Sequence, residues 1–433
     1  MQRRKPIVIG LALAGSWLSK SGWRRDDSGV EEMHLPDMYL ELAKRAEAQS
    51  LHFLFRPDTQ FLKQHMLATE PSFSSVEPIS LLSYVAAHTR SIGLVATLST
   101  SFFPPYIAAR QLQSLQWMSR GRAGWNIVTA LDGQQNFGIE HMPSSEQRYA
   151  IAQEYIQVVK ALWDSYPASA IRIDRETGVY ADPSQVEPID FQGQYFSSQG
   201  PINTPTYPQG RVALFQAGAS EDGRTFAAQH ADAIFAAAPD IFSSLELRDD
   251  LRRRAISFGR DPDSLKILPG LSLFLAETRE QAQQLFIDTH RAIDNARLLQ
   301  HLSDTIGVDV TQWSLDTLMT IERLPENFSA SRSITHAQLI RKRIASSPIT
   351  LGELIYTPEV MGSAHWLIVG TSEDAVASIV ERVDSQAIDG FIAIPGGSLA
   401  SMMCFFDQVL PRLKALGLAQ STYRKGTLVD KLK

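Results

Sequence analysis

Short apolar runs bounded by Gly, Pro or charged residues alternate along this chain with stretches whose apolar positions recur every three or four residues. The first run, Ile7–Ala14, reads as a strand, and a helix follows over Pro36–Ser50 with Pro at its start. Leu51–Phe55 is a second strand, a helix opens near Pro78, and "IGLVATLST" is a third strand. Pro104-Pro105 begins the next helix, Ala123–Val128 is the fourth strand, and Glu146–Asp164 is a long helix. Val212–Gly218, "ADAIFAA" and "ILPGLSLFLA" supply strands five to seven, and Gly390–Ile394 the eighth. Helices are expected over Thr371–Ala387 and Met402–Gly417.

Eight strand–helix units in strict order predict an α/β chain folded as a (β/α)8 TIM barrel. Two segments, about 165–211 and 279–360, are longer than a crossover needs and read as insertions. The whole chain, 1–433, is expected to form a single domain. A doubly wound sheet is the alternative, but its G-x-G-x-x-G turn is missing after the first strand.

Composition narrows the function. With 44% hydrophobic and 20% charged residues the chain is ordinary globular protein, and a net charge of −6 gives no footprint for nucleic acid. Arg252, Arg253 and Arg254 read as a solvated helix face. A lone cysteine, Cys404, excludes intramolecular disulfides and thiolate metal cages; its apolar flanks suggest a buried thiol. The ten histidines show no metal spacing, so no metal site is expected. The start, "MQRRKPIVIGLALAG", reads either as a secretory signal or as a basic tail before a buried strand. No other run is apolar and long enough to span a bilayer.

In a (β/α)8 barrel the chemistry sits at the carboxyl ends of the strands. The residues there include Trp17, Asp58, Thr97 to Thr100, Asn126 to Thr129, Gly218 to Ser220 and Pro395 to Ser398. Hydroxyls, amides and glycine dominate; paired carboxylates, histidines and lysines are scarce. That composition disfavours glycosidase or metal-hydrolase chemistry and favours a cofactor that carries the reaction itself. "AGASEDGR" and "PGGS" are rival phosphate cradles, the first at a helix N-terminus with Arg224 one turn on. Ser220 reads equally as a plain N-cap, and Asp58 as a cap or an acceptor for a cofactor. Tyr149 and Arg148 reach towards a phosphate or lie on the surface. The segment "GRAGWNIVTA" is odd for a buried strand, because it holds Gly124 and Asn126 where apolar residues are expected.

That segment, with "EPISLLSYVAAHTRSIGLVATLST", "RYAIAQEYIQVVKALWDSY", "QAGASEDGRTFAAQHADAIFAA" and "GTSEDAVASIVERV", closely resembles the flavin-dependent monooxygenases related to nitrilotriacetate monooxygenase component A and dibenzothiophene-sulfone monooxygenase. These are luciferase-like barrels, and the likeness runs along nearly the whole chain. The resemblance implies a cytoplasmic, two-component enzyme. It would receive reduced FMN (FMNH2) from a separate NAD(P)H-dependent flavin reductase and add O2 at flavin C4a, forming a peroxyflavin that oxygenates a small organic substrate. It places Asp58 near the ring or ribityl chain, Thr97 and Asn126 at the ring, and Tyr149, Gly218 and Ser220 at the phosphate end. It also favours "AGAS" over "PGGS" and a barrel strand over a signal peptide, and it implies a homodimer or homotetramer. Ser145, in "SEQRY", stands where many relatives carry His, and Arg56-Pro57 departs from the family pattern before Asp58; Arg56 either alters substrate access or is solvated on the rim. Trp17, Trp23, Phe55, Phe102 and Phe103 are candidates for an apolar substrate wall or for core. The alternatives are an F420- or flavin-dependent hydride-transfer oxidoreductase on the same barrel, or a non-catalytic flavin-binding protein.

Overall fold

The first apolar run forms strand β1 (Val8–Ala12), buried along its whole length and paired in parallel on both sides. Continuous apolar sequence of this kind suits a parallel strand covered on both faces. The computed structural model describes residues 6–71, 74–218, 220–291, 295–326, 334–361 and 364–433. The other strands of the sheet are β2 (Phe53–Arg56), β3 (Gly93–Ser99), β4 (Ala123–Val128), β5 (Ala213–Gln216), β6 (Ala233–Ala236), β7 (Lys266–Leu275), β8 (Trp366–Gly370) and β9 (Gly390–Pro395). Parallel pairing runs from β1 through β7, then to β9 and back to β1, which closes the expected (β/α)8 barrel.

Strand β8 is an addition to that plan. Strand β6 pairs with the first half of β7, Lys266 to Pro269, whereas β8 pairs with the second half, Leu271 to Leu275. The change of partner falls at Pro269-Gly270, where proline offers no N–H to a ladder. Only the length of β7 makes room for a ninth strand.

Outside the barrel lie α1 (Pro36–Ala48), α2 (Pro78–His88), α3 (Pro105–Met118), α4 (Ser145–Asp164), α5 (Glu221–His230) and α6 (Ile241–Ser257). Each of the first three starts with Pro, whose missing N–H costs nothing there. Next come α7 (Arg279–His290), α8 (Asn295–Ile306) and α9 (Ile334–Ser346), and after β8 follow α10 (Ser372–Asp384) and α11 (Leu399–Cys404). The second insertion holds its own apolar cluster, built on Leu302, Ile306, Ile340 and Leu354. In the first, two short antiparallel pairs form, Ile171–Asp174 with Val179–Ala181 and Phe191–Gln192 with Ser197–Ser198. Glu154 of α4 holds that insertion by accepting the N–H groups of Gln194, Tyr195 and Phe196 at 2.9, 2.8 and 2.7 Å. Cys404, expected to be buried, is half-buried.

Phe53, Phe55, Val95, Phe215 and Leu268 fill the barrel interior, together with Leu428 and Leu432 from a short C-terminal helix, α12 (Leu428–Leu432). This helix closes the amino end of the barrel. Its Leu428 N–H donates to Gly121 O at 2.9 Å, and Lys431 Nζ to Ser91 O at 2.6 Å. A Cβ on Gly93 would lie 2.5 Å from Leu428, and one on Gly124 only 3.1 Å from it. Gly121 has φ +89 and sits against Thr427. The glycines of "GRAGWNIVTA" therefore make room for the C-terminal helix. Arg122, beside them, is buried and donates to five oxygens, among them Ala86 O (3.1 Å), Thr89 O (3.0 Å) and Ile92 O (2.7 Å). It thereby satisfies carbonyls at the C-terminal end of α2, where a cation is favoured.

Candidate functional site

Alternation along β3 and β4 decides what reaches the open, carboxyl end of the barrel. Val95 points inward, so Thr97 does too, and Gly124 and Asn126 share that face of β4; Ala96, Leu98, Trp125 and Ile127 belong to the outer core. Trp125 anchors β4 from outside, donating its indole N–H to Leu98 O at 3.2 Å. Thr97 and Asn126 stand opposite each other in the register, and Asn126 Nδ2 donates to Thr97 Oγ1 at 3.0 Å. Asn126 Oδ1 is buried without a hydrogen-bond partner. A buried amide oxygen left in this state is costly unless a further donor arrives.

A second group gathers where β5 meets α5. Ser220 caps α5, accepting from Gly223 N at 3.2 Å. The Tyr149 hydroxyl, from the first turn of α4, accepts from Gln216 Nε2 at 3.2 Å and also meets Thr129 and Ser220. Burial raises its pKa, so it stays a neutral donor. A Cβ on Gly218 or on Gly223 would fall 2.7 Å from that hydroxyl. Both glycines are thus required for Tyr149 to reach the N-terminus of α5. Ser144 caps α4 in a reciprocal box with Gln147, while Ser145 Oγ donates to Asp222 Oδ2 at 3.1 Å and ties α4 to α5. Arg148 is half-buried next to them; Nη1 donates to Pro143 O at 2.7 Å and Nε has no partner. Burial lowers its pKa from 12.5, with Tyr149 and Asp222 opposing.

Asp58 lies two residues beyond β2, half-buried, and accepts from Gln60 Nε2 at 2.6 Å. Burial, the largest cause, raises its pKa from 3.8 to about 6 against the pull of the Thr59 N–H and Arg56. Gln60 O accepts from Asn136 Nδ2 at 2.6 Å, which links the loops after β2 and β4. The mouth therefore offers a carboxyl, two amides, hydroxyls and one helix N-terminus, arranged from β2 to β5. Among the described residues, no group of three or more His, Cys, Asp and Glu could hold a metal ion.

The sequence matches the luciferase-like monooxygenase family over residues 23–387. The chain belongs to that family. N-acetyl-S-(2-succino)cysteine monooxygenase of Bacillus subtilis (strain 168) is 34% identical over 431 residues, spanning 98% of this chain and 96% of that protein. Nitrilotriacetate monooxygenase component A of Aminobacter aminovorans is 31% identical over 446 residues, spanning 100% and 97%. A solved structure of riboflavin lyase with modified FMN and the substrate riboflavin superposes with a TM-score of 0.83, at 28% identity, over 99% of this chain and 96% of that one. The resemblance read from the motifs is borne out, and this luciferase-like protein is an enzyme of the flavin-dependent monooxygenase kind.

The structure gives several residues of the luciferase-like chain their places among the alternatives or outside them. Trp17 is only 1% exposed, with its indole N–H donated to Ser28 O at 2.9 Å, so it packs in the core and offers a substrate no surface. Phe55 is 2% exposed inside the barrel, its ring 5.1 Å from that of Phe235. Of the proposed apolar wall, Phe102 remains at the mouth, stacked on Phe137 at 4.4 Å. Arg56 is not solvated on the rim: it is buried, donates to Leu13 O at 2.7 Å and Val76 O at 2.9 Å, and covers the Tyr39 ring. Arg224 pairs with Glu246 and Asp250 of α6, at 2.8 and 3.1 Å. Arg148 lies close enough to Tyr149 and Asp222 for their charges to act on it. In the rival "PGGS" segment, Cβ atoms on Gly396 and Gly397 would run into Phe274 and Leu285, so these glycines let the two side chains pack against the loop. Gln216, buried with an unpartnered Oε1, joins this group without having been among the candidates from sequence, although an amide in the apolar run "VALFQAG" is the same signal as Asn126 in its strand.

Proposed function

We propose that this protein is the oxygenase half of a two-component system, taking reduced FMN from a separate NAD(P)H-dependent flavin reductase and using O2 to oxygenate a small organic substrate. One observation carries the flavin: the unpartnered Asn126 Oδ1 lies at the mouth, and Gly218, Ser220 and Gly223 form a cradle around the Tyr149 hydroxyl at the N-terminus of α5. Ring N–H groups of a flavin satisfy the amide oxygen, and a 5′-phosphate suits a helix N-terminus. Reduced FMN, when bound, supplies the oxygen activation. The chain's own part is to bind and to exclude water. Asn126 and Thr97 hold the ring, Asp58 accepts from the ring or ribityl chain, and Tyr149, Ser145, Ser220, Gly218 and Arg148 hold the phosphate end. The relative called component A supports a separate reductase, and the riboflavin lyase structure with modified FMN supports this form of flavin.

The test is anaerobic titration of purified protein with reduced FMN, followed by oxygen uptake in the presence of candidate substrates. Saturable binding with substrate-coupled uptake is expected. Binding of F420 in preference to reduced FMN would overturn the proposal.

A further inference from the structure

On the opposite side of the mouth from the α5 cradle is a cavity of about 110 Å³. The ends of β7 and β9, the loop Ser16–Lys20, α7 and the segment before β8 enclose it. Most of its wall is apolar, with Phe274, Phe286, Pro358, Met361, Leu367 and Ile394. Its polar side differs in character from the flavin side. Lys20, held at φ +59 and tethered by its N–H to Glu70 Oε2 at 2.8 Å, contributes a part-buried ammonium. Glu70 offsets that charge only in part, because Arg297 forms an ion pair with it as well, and burial lowers the Lys20 pKa from 10.5. Among the described residues Lys20 Nζ has no ion-pair or hydrogen-bond partner, while its charge acts on the ring of His290 across the cavity. His290 keeps Nδ1 on Phe286 O at 2.7 Å, which turns Nε2 away from that carbonyl. His365, with an unpartnered Nδ1, and the inward hydroxyl of Ser272 also line it, beside Ser16, Ser19 and Tyr356.

From this juxtaposition we infer that the cavity is a substrate subsite for one carboxylate group, with Lys20 as its counter-ion and the apolar wall holding the adjoining carbons. The inference rests on the oxygenase reading and names the substrate class: small organic acids. Two cations, Lys20 and Arg297, face the one carboxylate of Glu70, and the single excess positive charge matches a monoanion. A phosphate dianion calls for more free donors than the lining offers, since the Ser16, Ser19 and Tyr356 hydroxyls are already donated to Pro395 O, Ser16 O and Asn295 Oδ1. Its separation from the α5 cradle leaves the flavin phosphate site independent of Lys20.

Succinate and its neutral diamide, succinamide, serve as probes. Each is titrated calorimetrically into the purified full-length protein, and FMN binding is followed in parallel by fluorescence quenching. Succinate is expected to bind at least tenfold more tightly than succinamide. Lys20→Met removes that preference, Lys20→Arg keeps part of it, and both variants quench FMN like the wild type. Equal binding of the two probes by the wild type would overturn the inference even if the variants failed to fold, and so would a preference that survives in Lys20→Met. Failure of FMN to bind counts against the oxygenase reading alone, since the probe contrast is measured without flavin.

Discussion

Asn126 shows how a single residue departs from its surroundings for a reason that the strand supplies. Its nitrogen is satisfied by Thr97 and its oxygen is not. Removing the amide should relieve a buried, unpaired acceptor in the free protein and take a contact from the bound ring. For Asn126→Ala, FMN affinity is expected to fall about tenfold, roughly 1.4 kcal/mol, with no loss of melting temperature; unchanged quenching titrations would refute the ring contact. Asp58 makes a prediction in pH. Because its carboxyl titrates near 6 in the fold, it becomes a charged acceptor as pH rises through that value. Charged acceptors bind hydroxyl donors more strongly, so FMN affinity should increase across pH 5 to 7 (roughly a unit either side of that midpoint), and the step should vanish in Asp58→Asn. The stability contribution has the opposite sign. A raised carboxyl pKa favours the fold at low pH, and that benefit is lost as pH rises from 3.8 through about 6.

Among the elements, α5 bears most on the proposed cofactor site, because its first turn must cap itself and leave room for Tyr149. Ser220→Ala removes the cap and is expected to cost about 1 kcal/mol of stability. Gly223→Ala places a methyl group 2.7 Å from the Tyr149 hydroxyl while favouring the helix itself. It should weaken FMN binding by an order of magnitude or more, about 1.4 kcal/mol upward, without loss of helix content by circular dichroism. Wild-type affinity in Gly223→Ala would show that Tyr149 has no part in the phosphate end. Arg224→Ala should leave FMN affinity as it is and instead loosen α5 from α6, since its guanidinium serves Glu246 and Asp250.

At the scale of the whole molecule the barrel is plugged at its amino end, and the proposed site lies at the other. The closing piece is α12, far from β3 and β4 in sequence, with Leu428 1% exposed in the interior. Leu428→Ala is expected to cost about 2–5 kcal/mol, read as a lower urea midpoint. FMN affinity measured well below the transition should not change. A variant as stable as the wild type would mean that the plug is dispensable. No helix among the described residues is long and apolar enough to cross a membrane.

The sequence by itself determined the barrel, because an apolar run covered on both faces and a helix with one apolar stripe are local patterns with few ways to assemble. It also marked Asn126, Gly218 and Ser220, since amides and glycines at the ends of apolar runs contradict burial unless something else needs them. It could not separate Arg148 from Arg224: both follow a turn with a free helix end, and only the acidic residues of α6 decide which guanidinium is occupied. Trp17 and Phe55 look alike in sequence whether they line a cavity or fill a core. The purpose of Gly121 and Gly124 was equally hidden, because the group they clear lies some three hundred residues away. Strand β8 and the cavity around Lys20 arise from the same cause. Each depends on which distant segments meet at the long strand β7, and that contact is a property of the closed barrel alone.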